Sequence, residues 1–80
     1  MLSARVYVTL KKGVLDPQGK AVQHSLESMG HSSVADVRLG KFMEVQLNET
    51  DRTKAEAALK EICEKVLANT VIEDYRFEIL

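Results

Sequence analysis

The stretch VADVRLGKFMEVQL, residues 34–47, decides how many strands this chain puts in its sheet. Val37 and Leu39 alternate with Asp36 and Arg38, and Met43, Val45 and Leu47 alternate with Phe42, Glu44 and Gln46. Strict alternation marks half-buried strands, because successive side chains point to opposite faces. The two runs meet at Gly40-Lys41. A very tight turn there makes two strands; a bulge or bend at Gly40 makes one long ribbon. The residues alone leave both readings open.

Upstream, Ala4 to Lys11 reads as a strand, with Val6, Val8 and Leu10 on one face and Arg5, Tyr7, Thr9 and Lys11 on the other. Lys12 to Leu15 reads as a loop. Asp16 is then a good N-cap, and Pro17 suits the first helical position, where its missing amide costs nothing. Pro17 to Met29 carries the helical stripe Ala21, Val22, Leu26 and Met29, with Gly30 as the residue after the helix. Gly19, in the first turn, should cost about 0.5–1 kcal/mol relative to Ala, so something is expected to pack close against it.

Downstream, NETDRT (48–53) opens a second helix capped by Thr50 or Asp51. Its apolar stripe is Ala55, Ala58, Leu59, Ile62, Cys63, Val66 and Leu67, and Asn69 is placed to end it in a left-handed conformation. The last strand sets Tyr75, Phe77 and Ile79 against Asp74, Arg76 and Glu78.

With residues 34–47 counted as two strands, the order is β-α-β-β-α-β. That is the α+β, ferredoxin-like split βαβ pattern. Right-handed crossovers then put both helices on one face of a four-stranded antiparallel sheet, in a single domain spanning residues 1–80. The expected open face carries Arg5, Tyr7, Thr9, Arg38, Phe42, Glu44, Gln46, Arg76 and Glu78. It is either a solvated face or a polar protein interface, and the small size of the domain favours the interface.

KKGVLDPQGKA (11–21) carries two glycines and a lysine directly after the second, which invites comparison with a phosphate-binding loop. It fails in three places. Five residues rather than four separate Gly13 from Gly19, Ala21 stands where a metal-binding hydroxyl belongs, and Pro17 removes an amide the loop needs.

Composition narrows the function further. Eleven Lys and Arg against twelve Asp and Glu leave a formal charge of −1, which argues against a duplex-binding basic module. The single cysteine cannot form an internal disulfide or a cysteine zinc site. No signal-peptide layout or membrane-length apolar run is present, and a cytoplasmic location is expected. A chain this short buries only about 60–65 % of its unfolded surface, so oligomerisation would help it.

Nothing in the sequence assembles a catalytic constellation. His24 and His31 lack metal-ligand spacing and read as exposed. Cys63 lies on the apolar stripe and reads as a small buried hydrophobe. Glu73 and Asp74 are strand neighbours that point to opposite faces. Glu56–Lys60 and Glu61–Lys65 read as solvated helix pairs.

KKGVLDPQGKAV (11–22), VADVRLGK (34–41), the downstream Met43-Glu44 and the closing NTVIEDYRFEI (69–79) together resemble the PurS family, the small subunit of phosphoribosylformylglycinamidine (FGAM) synthase. The resemblance covers essentially the whole chain. One departure is Thr70, where many members have Pro, and it bears only on the turn after the second helix.

The resemblance implies a ferredoxin-like module that forms homodimers or tetramers and has no catalytic residue or cofactor of its own. It implies partners: an ATP-dependent synthetase subunit and a glutaminase subunit. The complex uses ATP, Mg²⁺ and glutamine. The glutaminase releases ammonia, which attacks the activated amide of formylglycinamide ribonucleotide, and the small subunit bridges the two. Candidate partner contacts are Lys12, Gly13, Asp16, Pro17 and Gly19, with Arg38, Gly40 and Lys41. Two other classes share this element order. A small-molecule-sensing regulatory module binds an amino acid or nucleotide between protomers. An RNA-recognition module needs aromatic platforms on its central strands, and here Tyr7 and Phe42 offer too few.

Overall fold

The computed structural model describes residues 1–80. Strand β1 is Leu2–Leu10, helix α1 Pro17–Ser28, strand β2 Gly40–Leu47, helix α2 Arg52–Ile62 and strand β3 Glu73–Ile79. The sheet is antiparallel in the order β2-β1-β3.

The four-stranded ferredoxin-like sheet expected from the sequence is therefore corrected to three strands. Residues 34–39 alternate but form no strand. A two-residue hairpin at Gly40-Lys41 would need positive φ in the turn, and the residues with positive φ are Gly13 and Gly30. Gly40 instead opens β2 opposite Thr9. A Cβ at Gly40 would run into the Val8 carbonyl oxygen, so glycine permits this close pairing of β1 and β2.

The register decides what faces what. Val6 lies between Met43 and Phe77, Ala4 between Val45 and Ile79, and Val8 between Lys41 and Tyr75. These residues share the face that α2 covers. Asp51 caps α2, accepting from the Thr53 N–H (2.9 Å) and the Lys54 N–H (3.4 Å). Ala4, Val6 and Val8 meet Leu59, Cys63 and Ala68 in the core, flanked by half-buried Met43, Val45, Leu47, Tyr75, Phe77 and Ile79.

After Ile62 the helix opens into a π-helical turn, Cys63–Leu67, closed by the Ala68 N–H donating to the Cys63 carbonyl (2.9 Å). The expected single stripe of α2 divides in two. Ala55, Leu59 and Cys63 are buried, whereas Ala58, Ile62 and Val66 are exposed. Asn69 does not take the left-handed conformation expected of it, since no residue other than glycine has positive φ. Its side-chain oxygen accepts from the Val71 N–H (3.2 Å), and its carbonyl accepts from the N–H groups of Ile72 and Glu73. An Asx-type turn thus does the work.

Helix α1 ends as the sequence predicts: the Gly30 N–H donates to the Glu27 carbonyl and the His31 N–H to that of Leu26. Its packing does not follow the sequence reading. No α1 side chain joins the core. The helix and residues 34–39 form an arm beside the sheet, and the chain measures 49 × 24 × 14 Å. The radius of gyration is 16.0 Å, against roughly 12 Å for a compact domain of this length.

Candidate functional site

The arm is built around Asp16. One carboxylate oxygen accepts from the Gly19 N–H (2.9 Å) and caps α1; the other accepts from the Leu39 N–H (2.9 Å). A single side chain thus ties the start of α1 to the segment before β2. Gly19 completes the joint. It is buried, and a Cβ there would collide with the Val37 carbonyl oxygen and with Asp16. This is the close packing expected at Gly19, and the neighbour is the chain's own backbone. Further along, Gln23 Nε2 donates to the Ala35 carbonyl (3.0 Å).

The Gly19 amide holds the Asp16 carboxyl below its ordinary value of 3.8, with help from the Leu39 amide and the charge of Arg38. Because the folded value is depressed, the stabilisation is fully present above the ordinary value and is lost as pH falls through the folded one. The Leu39 amide resonance should therefore titrate with a midpoint below 3.8 in an NMR pH series. Asp16→Asn should abolish that titration. A midpoint at or above the ordinary value would contradict the double hydrogen bond.

Most of the sequence-predicted contact residues gather at one end of the sheet, where β1 ends and β2 begins. Lys12, Gly13, Asp16 and Arg38 line one cavity of about 460 Å³. Gly40, Lys41 and Asp16 share a neighbouring cleft with Glu73. Pro17 lies outside both, on the exposed first turn of α1. Sequence reasoning missed Lys11, Lys20 and Asp36 in the cavity, and also the partner of Lys41. That partner is Glu73, at 3.9 Å. The register signals the pair, because Lys41 faces Val8 and Glu73 faces Leu10 on the apolar side of the sheet.

The opposite face of the sheet is knitted together around Tyr7. The Arg76 guanidinium lies 4.0 Å from the centre of its ring, and the Phe42 ring centre is 5.3 Å away. The Tyr7 hydroxyl donates to Glu78 (2.8 Å), which raises the tyrosine's pKa, and Arg5 reaches Glu78 at 3.7 Å. Arg38, expected on this face, belongs to the arm instead. His24 and His31 are exposed. Cys63 is buried, and desolvation raises its pKa, as a packing residue requires. Of the expected α2 ion pairs, Glu61–Lys65 forms at 2.9 Å; Glu56–Lys60 does not. No helix is long and apolar enough to cross a membrane.

Comparison with known proteins places this geometry. Residues 3–80 match the family model PurS, phosphoribosylformylglycinamidine (FGAM) synthase. The PurS subunit of Bacillus subtilis is 57 % identical over 79 residues, covering 99 % of this chain and 93 % of that one. A crystal structure of B. subtilis PurS superposes with a TM-score of 0.88 at 56 % identity, over 100 % of this chain and 99 % of that chain. A chain of the Thermotoga maritima PurLQS structure superposes with a TM-score of 0.89 at 28 % identity, covering 99 % and 96 %. The chain belongs to the PurS family of phosphoribosylformylglycinamidine synthase.

Proposed function

We infer that this chain is the non-catalytic small subunit of FGAM synthase in purine biosynthesis. It bridges an ATP-dependent synthetase subunit and a glutaminase subunit, so that ammonia released from glutamine reaches the activated amide. ATP, Mg²⁺ and glutamine are used by the complex. A cytoplasmic location suits a chain whose one thiol is free and buried.

The observation that supports an assembly role is the surface the protomer leaves uncovered. Only 8 of 80 residues are buried, and the accessible surface is 5800 Å². Size scaling gives about 4900 Å² for a compact monomer of this mass. The excess, roughly 900 Å², matches what each partner buries in a standard interface, about 800 Å². It includes two apolar stripes, Val22 and Met29 along α1 and its C-cap, and Ile62 and Val66 along α2 and the π-helical turn after it. We assign these stripes to contacts between copies of the chain. The contacts with the other subunits lie at the end of the sheet that carries Lys12, Gly13, Asp16, Pro17, Gly19, Arg38, Gly40 and Lys41.

Two measurements test this. Light scattering on a sizing column should show an oligomer that, mixed with the synthetase and glutaminase, co-elutes with both. Met29→Glu with Val66→Glu should leave the protomer folded, since these side chains are 72 % and 76 % exposed. Burying two unpaired charges should weaken self-association by roughly 100-fold or more. An unchanged mass on dilution would remove the stripes from the interface.

A further inference from the structure

We propose that the cavity between the β1–α1 loop and residues 36–38 binds a small phosphorylated molecule. This goes beyond the bridging role and holds whether or not that role does.

Four cations line the cavity, Lys11, Lys12, Lys20 and Arg38, against two carboxylates, Asp16 and Asp36. The lining therefore carries two net positive charges in a chain whose formal charge is −1, leaving the remaining surface at −3. None of the four cations forms an ion pair with a carboxylate of the chain. Both carboxylates are engaged by the backbone. Both oxygens of Asp16 accept backbone amides, and Asp36 accepts from the Val37 N–H (3.0 Å). Asp16 also occupies the Gly19 amide at the start of α1, so an anion here meets the side-chain cations rather than that amide. The discarded phosphate-loop geometry has no part in it.

The cations come from three places: the end of β1, the first turn of α1 and the segment before β2. They are brought together by the Asp16–Leu39 bond and by a turn at Lys11–Val14, in which Gly13 has φ +89°. Such convergence suits an anion with several oxygens, and the planar guanidinium of Arg38 suits phosphate in particular. Leu10, Val14, Leu15 and Val37 supply an apolar wall. At about 460 Å³ the cavity holds more than a bare ion and falls within the range of small-ligand sites.

The test is an amide NMR titration of the full-length chain with inorganic pyrophosphate and, separately, with AMP. Saturable shifts confined to residues 11–15, 20 and 36–38 are expected. Lys12→Ala with Arg38→Ala should weaken binding at least tenfold, and Lys60→Ala with Lys65→Ala should leave it unchanged. Tighter binding of AMP than of pyrophosphate would assign the site to an organic phosphate; the reverse order would assign it to the inorganic ion. Non-saturating shifts shared with Lys54, Lys60 and Lys65 would overturn the proposal. So would an absence of shifts with both ligands, which would leave the cations of the cavity to the subunit contacts alone.

Discussion

Leu59→Ala is expected to cost about 3–5 kcal/mol, the upper range for a buried leucine truncated in a core that cannot collapse. Leu59 is 0 % exposed and points from α2 onto β1, among Ala4, Val6, Val8 and Cys63. The core cluster holds only six buried residues, and two of them are alanines with nothing to rearrange. Total stability for 80 residues is expected at roughly 4–12 kcal/mol, so this one change removes a large share of it. Urea unfolding at fixed protein concentration measures it. A loss under about 1 kcal/mol would mean that the α2–sheet contact is not what holds the protomer together.

Gly19→Leu should act differently: it should release the arm and spare the core. The new side chain must displace the Val37 carbonyl or the Asp16 carboxylate, and either movement breaks the joint between α1 and residues 34–39. No residue of the core cluster lies between Lys11 and Leu39. The melting transition should therefore shift by only a few degrees, corresponding to about 1 kcal/mol. Co-assembly with the synthetase and glutaminase should fall at least tenfold. Equal losses in the melting curve and in a binding titration would show that Gly19 serves folding alone.

Much of the local structure was legible. Asp16-Pro17 and Gly30 marked helix ends through their own hydrogen-bonding chemistry, the cap of the second helix was narrowed to Thr50 or Asp51, of which Asp51 serves, and the alternation in residues 4–10, 42–47 and 75–79 gave the correct faces. The failures share a physical cause. Periodicity tells which side chains face together, and it does not tell what covers them. Residues 36–39 alternate in sequence but pair with no strand: the Val37 carbonyl packs on Gly19, Leu39 is exposed, and the Asp16 carboxylate takes the Leu39 amide that a hairpin would need. The stripes of α1 and α2 read as core, yet Met29, Ile62 and Val66 are exposed in the protomer. A stripe reads the same whether its cover comes from the same chain or from another. At the site, the cap role of Asp16 was visible, but its second bond spans 23 residues and leaves no local signal.

The bridging role is tested most directly by the glutamine-dependent rate of FGAM formation. The synthetase and glutaminase would be assayed with and without this chain, with ammonium salts as the nitrogen source in a parallel series. The chain should be required when glutamine supplies the nitrogen and dispensable when ammonium does, because it couples two active sites and contributes to neither. A glutamine-dependent rate unchanged by omitting the chain would contradict the account.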